Sequence, residues 1–178
     1  MRLSVAVCLL AFAAWALPSA AQWREWDADF DEDKKSWKEM EAQIPAYPRP
    51  ENLVRVQTGA ATSHEFYVDA NSVSVGEDGV VRYTVVVKTS SGATNVTFEG
   101  MRCRTRERKL YAIGHGDHTW VRAREPQWQR VTLRDLTPHH HTLYHDYFCS
   151  APTRPTPPRQ AIDALKRGTS LARSTATD

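Results

Sequence analysis

Between Val80 and Cys103 the chain reads VVRYTVVVK, TSSGATN and VTFEGMRC, and this stretch dictates the kind of sheet the rest must build on. In the first run Val81, Tyr83, Val85 and Val87 recur at period two, while Arg82, Thr84 and Lys88 share the other side with Val80 and Val86. That is the pattern of a half-buried β-strand. Ser90, Ser91 and Gly92 interrupt it, and Val96, Phe98 and Gly100 resume it. The spacing predicts a β-hairpin ending on a cysteine, at the centre of an antiparallel sheet.

Further strands are expected on either side. Upstream, Asn52 to Gln57 and His64 to Asp69 read as extended, Asp69 to Ser72 as a turn, and Val73 to Val75 as a short strand. Gly76-Glu77-Asp78-Gly79 is a hairpin turn whose Asp-Gly pair tolerates positive φ. Downstream, Leu110 to Ile113 and Thr119 to Arg122 flank a turn at Gly114 to His118, and Gln127 to Leu136 is a last candidate. Pro138 opens a short helix from His139 to Phe148, with Leu143, Tyr144, Tyr147 and Phe148 on one apolar side. Ahead of the sheet, Trp23, Trp26, Phe30, Trp37, Met40 and Ile44 recur at helical spacing among charged residues. They predict an amphipathic helix that Pro45 ends, covering one sheet face.

The ends of the chain differ from this middle. Residues 1–21 carry Arg2, an apolar run from Leu3 to Leu17 and a Ser19-Ala20-Ala21 end, the layout of a secretory signal cleaved before Gln22. The run falls short of the roughly 20 residues a bilayer span needs, so no transmembrane segment is expected after cleavage. Residues 151–178 are rich in Pro, Thr, Ala and Arg and read as a disordered tail, leaving residues 22–150 as a single domain. Cleavage removes Cys8 and leaves Cys103 and Cys149, which an oxidising compartment should pair. Closing so long a loop is worth roughly 4 kcal/mol in the chain-entropy model.

No nucleophile elbow, phosphate-cradling loop, zinc-protease signature or paired-cysteine knuckle occurs, so no catalytic residue and no cofactor is expected. Two clusters remain. If Pro138 starts a helix, His141 and His145 stand at i and i+4, a spacing that can hold copper or zinc, and His115 or His118 from the earlier turn could add a third ligand. Arg102, Arg104, Arg106 and Arg108 fall on alternate positions and in one strand would share a face able to bind anions. The competing account of the arginines is a solvated strand face or a dock for the acidic stretch from Glu25 to Glu41, where eight carboxylates face three lysines. The formal net charge of +2 gives no strong overall field, and export makes nucleic acid an unsuitable partner.

Trp37-Lys38-Glu39, Pro45-Ala46-Tyr47-Pro48, Asp69, Ser72 to Gly76, Asp78 to Tyr83, Ser91-Gly92-Ala93, Phe98 to Cys103, Tyr111-Ala112, Trp120, Trp128 and Tyr144 to Cys149 together resemble the cryptic neisserial protein-like family of small exported bacterial proteins. The resemblance spans about Phe30 to Cys149 and implies an exported envelope protein; that family's function is uncharacterised, so no site residue carries over. The expected molecule is an α+β domain with an antiparallel sheet of about five or six strands, an N-terminal amphipathic helix, a short C-terminal helix and one disulfide. The leading expectation is a non-enzymatic periplasmic binding or envelope-associated module whose partner is an envelope component, whether protein, anionic lipid or glycan. A periplasmic metal-binding protein using the histidines is the alternative, and an enzyme without a recognisable motif the third.

Overall fold

The hairpin forms as its pattern dictates. In the structure, a computed structural model that describes residues 37–59, 62–132, 138–151 and 153–174 (side chains as far as 172), β3 (Val80–Lys88) and β4 (Thr94–Arg102) pair from Val80↔Arg102 to Lys88↔Thr94. Gly92, at φ 87°, turns the chain between them, a conformation that costs a glycine nothing. The signal-like residues 1–21 and most of the expected N-terminal helix lie outside the described residues. The sheet and the segments packed on it belong to one unit, Lys38–Asp178.

The hairpin sits in the middle of a meander. Strands β1 (Leu53–Val56), β2 (Glu65–Val75), β3, β4, β5 (Glu107–Gly114) and β6 (Trp120–Arg122) lie side by side in chain order, all antiparallel. A short β7 (Gln129–Arg130) pairs with the start of β5, beyond the reach of β6. The expected turn at Asp69 to Ser72 is instead a bulge inside an unbroken β2, where the pairing with β3 shifts register between Asp69 and Ser74. The Ser72 hydroxyl donates to the Asp69 carbonyl at 2.8 Å and accepts from the Thr84 N–H at 2.8 Å, replacing a ladder bond that the bulge removes.

One face of the sheet is covered by helices. Val68, Val81, Tyr83, Val85 and Met101 point toward Leu143, Tyr147 and Phe148, which come from α1 (Pro138–Thr142) and the π-helix that continues it (Leu143–Phe148). Cys103 and Cys149 are bonded, with Cα atoms 5.5 Å apart, and tie that segment to the end of β4.

The supposedly disordered tail belongs to the same layer. Residues 158–167 form α2 (Pro158–Arg167) and residues 171–174 form α3 (Leu171–Ser174). Ala161, Ala164, Leu165 and Leu171 are buried in the main core. Pro158 opens α2, Gly168 ends it at φ 64°, and Thr169 N–H closes it on the Ala164 carbonyl at 3.0 Å. A ten-residue helix of this composition is marginal alone, so composition suggested disorder. Burying Leu165 and Leu171 contributes about 1.5–3 kcal/mol each and decides otherwise.

The other face is covered by an extended strap. Residues 37–49 carry no regular secondary structure, so the expected helix does not reach Ile44. The strap lays Ala42 and Ile44 against Phe98, Tyr111, Ala112 and Trp120. Its polar groups are spent on the sheet: Met40 N–H donates to Asp78 Oδ2 at 2.9 Å, and the Met40 carbonyl accepts from Arg82 Nη2 at 2.8 Å. Glu39 accepts from Lys109 Nζ and Tyr111 Oη, each at 2.7 Å, and from Trp128 Nε1 at 3.2 Å. A helix over the same residues could not deliver all of these groups to one face, and Pro45, Pro48 and Pro50 keep the following chain extended. β3 is therefore buried on both sides, Arg82 included, whose charge Asp78 answers at 2.6 Å.

Candidate functional site

The register of the central hairpin places Tyr83 opposite Glu99, so the side of β4 that faces the helices carries Thr97, Glu99 and Met101. A carboxylate is thereby set into the apolar layer beneath α1. Pro138 starts that helix, and its first turn directs His139 and His140 inward, both almost wholly buried. His140 Nε2 meets Glu99 Oε2 at 2.7 Å. Tyr83 Oη also donates to Oε2, at 3.2 Å, and Thr97 Oγ1 donates to Oε1 at 2.8 Å. The His139 ring stacks on Phe66, centroids 4.6 Å apart, and lies 4.0 Å from the His140 ring.

One atom from each of Glu99, His139 and His140 falls within 4.8 Å of the other two. Among the described residues this is the one group of three metal-ligating side chains so placed. His139 Nδ1 is buried without a hydrogen-bond partner among the described residues, a cost that buried polar atoms seldom bear without a reason. The three residues form part of the wall of a cleft of about 400 Å³, whose remaining lining includes Val87, Leu110 and Arg108. Arg108 Nε is likewise buried and has no hydrogen-bond partner among the described residues.

The electrostatics follow from this geometry. Burial pushes the Glu99 carboxyl up, but the charge and hydrogen bond of His140, with the Thr97 hydroxyl, more than offset it and hold Glu99 well below the usual carboxylate range. Burial, reinforced by the neighbouring charge of His140, lowers His139 from the usual imidazole value of 6.5 to about 3, so its ring is neutral near pH 7. Burial raises the Tyr83 phenol, and the Glu99 charge raises it further, which keeps it a donor. The site thus offers a fixed carboxylate, a neutral imidazole with an open nitrogen, and a second imidazole already bonded to the carboxylate.

The residues singled out from the sequence are distributed differently. His141 and His145 do meet at i and i+4, rings stacked 5.7 Å apart, but on the outer side of the helix, where His145 Nδ1 lies 3.1 Å from Asp146 Oδ1. His115 and His118 stand on the β5–β6 turn, where His118 stacks on Tyr47 at 4.8 Å; they do not join the pair on the helix. The four arginines do not share a strand face. Arg102 ends β4, Arg104 and Arg106 occupy a tight turn closed by Arg106 N–H on the Cys103 carbonyl at 3.3 Å, and Arg108 lies on β5. Arg106 takes φ 56°, which reverses the chain and ends the alternation that a strand would have continued. Its guanidinium lies over the Tyr144 ring at 5.2 Å, while Arg108 alone enters the cleft. Cys103 and Cys149 pair as expected.

Glu99, His139 and His140 were not singled out as a site. The signal was present: Val96, Phe98 and Gly100 implied that Glu99 faced outward, whereas pairing Tyr83 with Glu99 across the hairpin puts it on the core side of β3. Both sides of this hairpin are covered, so neither apolar stripe marks the only inside.

Comparison with known proteins adds a family and nothing finer. The model of the CNP1-like family matches residues 32–166, more than half of the chain and including α2 almost to its end. No curated protein and no solved structure matches.

Proposed function

The chain belongs to the CNP1-like family, and from that premise we propose that it is an exported, non-enzymatic binding module of the cell envelope whose ligand enters the cleft walled by Glu99, His139, His140 and Arg108. The signal-like residues 1–21 support export, and a Cys103–Cys149 bond suits an oxidising compartment such as the periplasm. The observation that carries the reading is the cleft itself. It combines an apolar wall from Phe66, Val87 and Leu110 with buried polar atoms, His139 Nδ1 and Arg108 Nε, that have no hydrogen-bond partner among the described residues. That composition fits a small envelope component with an apolar body and an anionic head, and it makes Arg108 the member of the arginine group that contacts ligand.

The test uses 1-anilinonaphthalene-8-sulfonate, an apolar ring system bearing a sulfonate, titrated into protein purified without reductant. One saturable site is expected. Asn95→Trp, an exposed position at the cleft, should fill the space and abolish it, while Arg104→Glu, on the neighbouring turn, should leave it intact. Binding that is absent, or that survives Asn95→Trp but is lost in Arg104→Glu, would remove the cleft reading.

A further inference from the structure

The polar wall of the cleft has a chemistry of its own, and three features narrow it. First, the three candidate ligand atoms of Glu99, His139 and His140 already lie within 4.8 Å of one another, close enough for one ion to reach all three with little rearrangement. Second, the Glu99 carboxyl group and the His140 ring are both buried and already converge, Oε2 lying 2.7 Å from Nε2, so an oxygen and an imidazole nitrogen face one point beside the cleft. Third, His139 Nδ1 is buried with no hydrogen-bond partner among the described residues, on a ring fixed by stacking against Phe66 at 4.6 Å.

We propose that Glu99, His139 and His140 bind one first-row divalent transition metal ion, of the Zn²⁺ or Cu²⁺ class, with a fourth coordination position open to the cleft. Two imidazoles and one carboxylate suit these borderline ions better than Ca²⁺ or Mg²⁺, which take oxygen ligands. On binding, the ion takes the place of the hydrogen at the 2.7 Å His140–Glu99 contact, and that proton leaves to solvent. Tyr83 and Thr97 stay as outer partners, their hydroxyls orienting the two Glu99 oxygens. Arg108 lines the same cleft, and a guanidinium beside a cation is unfavourable unless an anion lies between them. The open position therefore suits an anionic ligand held jointly by the metal and Arg108. This inference rests on the cleft being the binding region and names what its polar wall holds. It replaces the His141–His145 pair, whose rings stack 5.7 Å apart and which, even with Asp146 beside His145, does not bring three ligand atoms within reach of one ion among the described residues.

The experiment strips non-reduced protein with a chelator, restores Zn²⁺, and counts bound ions by native mass spectrometry. A parallel Co²⁺ titration follows the visible absorption of a four-coordinate centre and the paramagnetically shifted imidazole resonances. One ion per chain is expected, with two shifted imidazoles. His141→Ala combined with His145→Ala should leave that stoichiometry unchanged. Glu99→Gln should weaken binding by more than about a hundredfold, beyond what loss of an outer partner costs, and Tyr83→Phe by about tenfold. The Co²⁺ spectrum of the wild-type protein decides the matter even if Glu99→Gln folds poorly. No retained ion, or an ion lost in the His141/His145 double variant, would overturn the proposal. If the anilinonaphthalene probe still binds in the cleft under those outcomes, only the metal is refuted; if it does not, the cleft reading falls too.

Discussion

Glu99 is the most exacting residue in the fold, and a double-mutant cycle with His140 tests whether the two are coupled. Glu99→Met removes a buried carboxylate that accepts three side-chain hydrogen bonds, at 2.7 Å from His140, 2.8 Å from Thr97 and 3.2 Å from Tyr83. Each bond to a charged group contributes about 1.5–3 kcal/mol, and removing the charge returns part of that as relieved desolvation. Breaking one half of a buried pair typically leaves a net cost of about 3–5 kcal/mol, because the other half stays buried and unanswered. For a domain of this size that lowers Tm by about 10 °C. His140→Leu should cost a similar amount. The combined variant should cost less than either single change, since no unpaired charge remains and only the Tyr83 and Thr97 hydroxyls lose their acceptor. The assay is urea unfolding followed by tryptophan fluorescence near pH 7, disulfide intact and chelator present, so that m-values can be compared. Additive losses in the double variant, or a loss below about 1 kcal/mol for Glu99→Met, would refute the coupling.

The same geometry sets three further expected outcomes. His139 has a folded pKa of about 3 against 6.5, so between those values the unfolded chain binds more protons and stability falls as pH falls. About 2 kcal/mol should be lost between pH 8 and about pH 5, read by urea midpoints, and His139→Phe should flatten that slope. Glu99 titrates well below its ordinary 4.5 in the fold, so its stabilisation is fully present above that value and declines only at lower pH. Glu39→Ala deletes the acceptor shared by Lys109, Tyr111 and Trp128 and should release the strap at a cost of about 2 kcal/mol. Amide hydrogen exchange should speed up at residues 38–44 with the central hairpin still protected; unchanged exchange there would show that Glu39 does not anchor it. Replacing Cys103 and Cys149 together by Ser should cost up to about 4 kcal/mol, and an unshifted Tm would show that the bond constrains little.

The histidine run shows where local pattern stops being informative. Pro138 and the apolar residues from Leu143 to Phe148 announce a helix, and any helix here presents His141 and His145 on one side. Which side faces protein depends on how that helix is seated by the bond from Cys149 to Cys103, and the seating turns His139 and His140 inward instead. The arginines fail for a different reason: a single residue at φ 56°, Arg106, converts an apparent strand into a turn, and alternating charges carry no trace of it.

By itself the sequence determined the hairpin within an antiparallel sheet, the Asp78-Gly79 turn and the cysteine pair, because these rest on period-two patterning, turn chemistry and cysteine count, all local. Tertiary structure alone decided that residues 38–49 form a strap, that residues 158–174 complete the core, and that Glu99 lies under His139 and His140. Those outcomes depend on which covering segment gains more by burial and by satisfying buried polar groups. That comparison is made between residues far apart in the chain, and no window of sequence contains it.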